Sequence, residues 1–328
     1  FLMESSKNLS GRAYIAIGLM LFALFFGAGN LIFPASLGQQ AGAMTPYAVI
    51  GFILTGVGLP LLGILAVAKT GVRNVEELSG RVHPLYGLIY SVILYLIIGP
   101  IFATPRTGTV SYEIALRPFL GDTPPVWAEP IFLVAFFAIS LFIAIRPSKL
   151  VDRIGKVLTP ILLLVILILI VASLLHPLGG YGQAIDKYAT VGAAVGNGFL
   201  DGYNTMDALA SLVFSVLVVD FVKMAGAKTP GEITGSTMKA GGVAALGLAF
   251  VYIFVANLGA TSVEALGMLD TGAPVLAKSA DILLGSAGAF ILAVIVLRAC
   301  LSSSIGVITW CAQYFGSLYS KISYQMYA

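Results

Sequence analysis

Residues 13–41, AYIAIGLMLFALFFGAGNLIFPASLGQQA, decide the fold. From Tyr14 to Leu37 the run is apolar, and about 20 such residues cross ~30 Å of hydrocarbon. Its centre carries Gly27-Ala28-Gly29-Asn30, followed by Pro34. A continuous helix bathed in lipid gains nothing from two glycines, an asparagine and a proline placed so close together. Broken helices survive at membrane depth only where the freed backbone groups face protein or a wet cavity. In transporters such a gap is where substrate and coupling ion bind. The stretch therefore reads as a discontinuous first helix with a binding site at its break. A plainer reading, in which Gly27 and Gly29 only allow close helix packing, leaves Asn30 and Pro34 unexplained.

Composition agrees. The chain is 59% hydrophobic and 10% charged, with mean hydropathy +0.98, where a soluble domain carries ~25% charged residues. This is the composition of an all-α membrane protein, a single polytopic domain over residues 1–328 with the lipid bilayer as its surroundings. A net charge of +3 makes no case for nucleic acid. Cys300 and Cys311 share one apolar segment and stand roughly 16 Å apart along a helix, so they neither bridge each other nor suggest a metal site. The first segment exceeds the ~7–15 apolar residues of a signal peptide, and more spans follow, so it reads as uncleaved.

Eight apolar segments can be drawn: Ala13–Ala41 (broken), Thr45–Ala68, Pro84–Leu116, Ile131–Ile145, Leu158–Leu175, Met206–Phe221, Met238–Ala260 and Ser286–Tyr314. Lys7, Arg12, Lys69, Arg73, Arg81, Arg146, Lys149, Arg153, Lys156, Lys223, Lys228, Lys239 and Lys321 flank them on one side. Only Arg117, Lys187 and Lys278 lie on the other. Thirteen against three places the N-terminus and the tail in the cytoplasm, by the bias of Lys and Arg toward that side. The connection 176–202, rich in glycine and bearing Pro177, Asp186 and Asp201, is expected to form a lid or a plain surface link. Residues 261–285 are expected to form short interfacial helices around Pro274.

Three stretches carry a family resemblance: Gly18–Gly42; Pro105-Arg106-Thr107 with Thr109-Val110-Ser111 and Glu113; and Gly202-Tyr203-Asn204-Thr205-Met206-Asp207-Ala208-Leu209-Ala210. The chain resembles the bacterial branched-chain amino acid:cation symporters along essentially its whole length. The resemblance implies the leucine-transporter type of fold, in which five helices are repeated upside down. Residues 1–175 would then be the first repeat, helices one to five, and residues 203–316 a partial second repeat, helices six to eight. The family usually has twelve helices, so the resemblance also implies a chain truncated after its eighth. Helices one and six would be the broken pair.

Site residues follow. If Ala28, Gly29 and Asn30 are unwound, the next half-helix offers free N–H groups and a positive dipole end to a substrate carboxylate. The preceding half-helix ends near Phe26, whose orphan carbonyls suit a small cation. In helix eight, the Ala299 carbonyl and the Ser302 and Ser303 hydroxyls lie one turn apart and suit Na+. Serines that merely bond back to their own helix are the ordinary alternative. By the resemblance, backbone carbonyls near Ala23 and Phe26 would complete that ion site. The resemblance also places the substrate against helix six, where Ser211-Leu212-Val213-Phe214-Ser215 would unwind. Ser211 would then line the site, and Phe214 with Leu212 would wall an aliphatic side chain.

Arg106 and Glu113 are ionisable residues inside a span and hence functional candidates. They lie ~10 Å apart along one helix face, too far to pair, and a gating or structural role fits them best. Asn257 is a further cation ligand or a packing amide. Arg298, beside Ala299, fits no role and should weaken a cation site it faces. His83 and His176 belong to segment ends.

The implied function is import of leucine, isoleucine or valine by Na+ or H+ symport across the bacterial cell membrane, without a cofactor. A non-transporting fragment of such a transporter is the alternative. An intramembrane enzyme would need a nucleophile–base pair or metal ligands at depth, and no His lies there. A channel would need a continuous pore. Oligomeric state leaves no mark in the sequence.

Overall fold

Helices account for nearly all of the backbone, and their interruptions are what position the site. The computed structural model describes residues 10–72, 74–121, 123–145, 150–319, 321 and 324–327, with the side chains of 150–160, 162 and 324 excepted. Lys7, Arg73, Arg146 and Lys149, and the side chains of Arg153 and Lys156, lie outside the described residues.

Helix one is split into α1 (Gly11–Phe25) and α2 (Ala28–Ala41). Gly42, at φ +48, turns the chain into helix two, which is α3 (Thr45–Ile53), a π turn at Leu54–Gly58, and α4 (Leu59–Thr70). The short α5 (Val75–Gly80) leads to helix three, α6 (Pro84–Leu96) and α7 (Ala103–Ala115). Gly99, with ψ −114, and Pro100 separate these halves, because proline lacks the amide that would continue the ladder. Helices four and five are α8 (Ala128–Ala144) and α9 (Leu150–Leu175).

Helix six is α10 (Val191–Tyr203) and α11 (Asp207–Met224), helix seven is α12 (Pro230–Leu266), and helix eight lies in α13 (Gly272–Leu318). Gly285, at φ 70, kinks α13, so residues 272–284 form a separate arm before the span proper. The small α14 (Tyr324–Tyr327) follows. Among the described residues, four helical stretches are by themselves long and apolar enough to cross a membrane: Ala28–Thr70, Pro84–Phe119, Pro230–Leu266 and Gly272–Leu318. The bent pair α10–α11 makes a fifth, and Gly11–Phe25, Ala128–Ala144 and Leu163–Leu175 are shorter apolar helices.

The helices sort into two groups. In the first, α1 and α2 pack on α12, α10 packs on α3, and α11 packs on α4. In the second, α13 packs on α7, α8 and α9, and its first residues also meet α2 of the first group, where a Cβ on Gly272 would fall 1.9 Å from the Ile32 carbonyl oxygen. Backbone contact in the first group is close enough to demand glycine. A Cβ on Gly38 would fall 1.9 Å from the Ala256 carbonyl oxygen, and one on Gly198 would fall 1.9 Å from that of Ala48.

Residues 176–202 are not a lid. Their second half is α10, the first part of helix six, and their first half is strapped down. Ala43 N–H donates to Gly182 O (2.9 Å), Ile185 N–H to Gln40 O (2.9 Å), and Gly180 N–H to the Glu264 carboxylate (3.1 Å). An apolar run broken at 204–206 reads as starting at Met206, which is why the half-helix before the break passes for a loop.

Candidate substrate and ion site

The helix-one break falls on Phe26 (φ −72, ψ 90) and Gly27 (φ −118, ψ −167). Ala28, Gly29 and Asn30, expected to be unwound, are instead the first turn of α2. The cause is Asn30, whose Oδ1 accepts the Gly27 N–H at 3.0 Å and so caps a helix beginning at Ala28. That bond has a second effect. In an unbroken helix the Gly27 N–H would bond the Ala23 carbonyl, so diverting it releases that oxygen. The first-turn N–H groups of α2 have no acceptor within their helix and sit at its positive dipole end.

The helix-six break is not at 211–215. There the helix is regular: Ser211 Oγ donates to Ala208 O (2.7 Å), and Ser215 donates to Ser211 O. Serine hydroxyls satisfied along their own helix give it no cause to unwind. The chain breaks at Asn204-Thr205-Met206, where Met206 takes the left-handed φ 67, and the two half-helices diverge by 43°. Thr205 Oγ1 donates to Gly202 O, and Arg106 Nη1 donates to Asn204 O, both at 2.8 Å.

The two breaks face each other. A Cβ on Gly29 would lie 2.9 Å from Arg106 Nη1 and 3.4 Å from Thr205 O. The Arg106 guanidinium also stands 5.0 Å over the Phe33 ring of α2. Behind the breaks, Asn30 Nδ2 donates to Asp207 Oδ2 (2.5 Å) and to the Tyr252 hydroxyl, which donates on to Asp207 Oδ2 (3.3 Å). Asn30 therefore spends both ends of its side chain on structure, and only its backbone is left for a ligand. Phe214 packs between Phe25 (5.7 Å between ring centroids) and Trp310 (4.7 Å), walling the α1 side of the break.

Helix eight passes beside helix one. A Cβ on Gly27 would lie 3.9 Å from Ser303 Oγ. Among the described residues, neither Ser302 nor Ser303 makes the bond back to its helix that Ser111, Ser140 and Thr309 make. The neighbouring Ser304 hydroxyl is buried with no partner among the described residues. Released carbonyls at Ala23 and Phe26, the Ala299 carbonyl and these hydroxyls are neutral oxygens, which suit a hard monovalent cation.

Other candidates go elsewhere. Glu113 is paired with Arg117 at 2.7 Å, one turn further along its helix and away from Arg106. Asn257 Oδ1 accepts the Tyr181 hydroxyl of the strap. Arg298 is exposed on the outer face of α13. His83 caps α6 by accepting the Leu85 N–H, and His176 ends α9. Cys300 and Cys311 are free and buried. Sequence reasoning missed Asp207 and Tyr252; a carboxylate at the head of an apolar segment, two residues after a threonine, was the available signal for Asp207.

Residues 10–328 match the family described as "Branched-chain amino acid transport protein". The chain belongs to this family. Among its members, the branched-chain amino acid permease BraB of Bacillus subtilis is 50% identical over 319 residues, covering 97% of this chain and 71% of BraB. The permease BrnQ of the same organism is 46% identical, covering 98% of this chain and 73% of BrnQ. The fold matches the inward-facing conformation of Mhp1 (TM-score 0.64, 15% identity, covering 99% of this chain and 72% of Mhp1). It also matches MhsT in complex with L-phenylalanine (TM-score 0.58, 18% identity, 98% and 77%). The fold of this chain is thus all-α and of the leucine-transporter type, and its family is one of transport proteins rather than enzymes.

Proposed function

We propose that the protein carries leucine, isoleucine and valine inward across the bacterial cell membrane together with a cation, its N-terminus in the cytoplasm. Branched-chain amino acid transport is the activity of the family and of the permeases that the chain resembles. The observation that carries the mechanism is the break at Phe26–Gly27 facing the break at 204–206. The substrate carboxylate docks on the α2 N-terminus at Ala28, Gly29 and Asn30, through backbone N–H groups rather than side chains. Its ammonium meets the carbonyls freed at the two breaks, and its aliphatic side chain lies toward Phe214, with Ser211 one turn away. A neutral oxygen cage made by Ala23, Phe26, Ala299, Ser302 and Ser303 holds Na+, joining helix one to helix eight.

This cage ties the two packing groups of helices together, since α1 and α13 belong to different ones. Filling it favours one relative position of the groups, and emptying it removes one of the ties between them. Arg106 acts on the same boundary. It sits on α7 of one group and holds Asn204 of the other, so it gates the passage between the breaks. Glu113, paired with Arg117, has a structural role.

Leucine uptake into proteoliposomes under an imposed inward Na+ gradient tests the reading. Ser302→Ala with Ser303→Ala is expected to abolish the response to Na+. A sodium response equal to that of the unaltered protein would remove the helix-eight hydroxyls from the account.

A further inference from the structure

Asp207 is 4% exposed, and the described residues supply it with no ion-pair partner within 4 Å. A carboxylate at such depth is costly and marks a functional path. Its carboxylate is bonded by the Asn30 amide from α2 and the Tyr252 hydroxyl from α12, and its backbone N–H donates to Thr205 Oγ1 at the helix-six break. The titratable and charged groups that face it are Tyr252 from α12 and Arg106 from α7. From α2 and from its own segment come only the neutral Asn30 and Thr205. Arg106 lends its charge through space while its guanidinium is bonded to the Asn204 carbonyl.

The pattern of donors has a consequence. Asn30 Nδ2 can only donate, and it donates into Asp207 Oδ2. Such bonds to an ionised oxygen are about twice as strong as neutral ones. A proton on Oδ2 would set donor against donor, and a proton on Oδ1 would strip the charge that strengthens both bonds. Either one loosens Asn30, whose other end caps Gly27 and thereby fixes the helix-one break. One proton at Asp207 thus acts on helices one, six and seven together. The geometry points to Asp207 as a proton-binding site that couples transport to a proton gradient. The proton enters from the outer solution, resides on the carboxylate during the inward crossing, and leaves to the cytoplasm. The site shares no residue with the Na+ cage, and the inference rests on the proposed transport activity.

The test uses proteoliposomes loaded with a pH-sensitive dye, with Na+ equal on both sides and leucine added outside. The protein is expected to carry protons in with leucine, and Asp207→Asn to move leucine without protons. An unchanged number of protons per leucine in Asp207→Asn would overturn the inference. If Asp207→Asn moves no leucine, Tyr252→Phe decides. It keeps the carboxylate and removes one of its hydrogen-bond donors, so the pH of half-maximal proton movement should change; an unchanged profile overturns the inference. Leucine movement without protons in the unaltered protein overturns it too, yet leaves the transport reading standing. No leucine movement in the unaltered protein fells both.

Discussion

Met206 holds φ 67 and ψ 9 between two half-helices, a conformation that costs a residue with a Cβ roughly 1–2 kcal/mol. Glycine adopts it freely, and a β-branched residue is a genuine outlier there. Met206→Gly should therefore keep or raise the midpoint of thermal unfolding in detergent, while Met206→Val should lower it. A lower midpoint for the glycine variant would show that the methionine side chain, not the backbone, sets the stability of the break. The same residue explains what could be read in advance and what could not. Helix one advertises its break through Gly27, Gly29, Asn30 and Pro34. Helix six breaks at Asn204-Thr205-Met206 with neither glycine nor proline in the gap. There the backbone is held by tertiary partners, Arg106 on the Asn204 carbonyl and Asp207 on Asn30. Local sequence carries no sign of a bond formed with a helix a hundred residues away.

Elements meet here through backbone as much as through side chains. Gly38 and Gly259 face each other's helix, a Cβ on either falling 1.9 Å and 2.1 Å from the Ala256 and Ala35 carbonyl oxygens. Carbonyls cannot turn aside, so Gly38→Ala has to part α2 from α12, at a typical overpacking cost of about 1–3 kcal/mol or more. Gly196 lies inside α10 with nothing within 4 Å of the same added atom. There Gly196→Ala should gain about 0.8–1.0 kcal/mol of helix propensity. Thermal unfolding in detergent should move the two variants in opposite directions, and a neutral Gly38→Ala would mean that α2 and α12 stand further apart. The glycines are plain in the sequence, but which ones mark contacts is not. Gly38 and Gly196 look alike as letters and differ only in whether another helix lies across them. The segments themselves were readable from hydropathy. Their interruptions blurred the ends, as in the half-helix α10, which glycine content disguised as a loop.

At the scale of the molecule, the direction of transport depends on which way round the bundle sits. In the proposed topology the bias of thirteen basic residues against three would turn α1 toward the cytoplasm and α2 outward, and the α2 N-terminus would then receive substrate arriving from outside. Two exposed positions separate the alternatives: Ala189, beside the strap before helix six, and Ala225, in the turn after it. Both native cysteines are buried, so a thiol introduced at either position dominates labelling. On intact cells a membrane-impermeant maleimide should react with Ala189→Cys and spare Ala225→Cys until the membrane is opened. The reverse pattern would invert every step derived from the two breaks. The strap would then face the cytoplasm, α2 would receive substrate from within, and the proton at Asp207 would have to be taken up on the side to which import must deliver it.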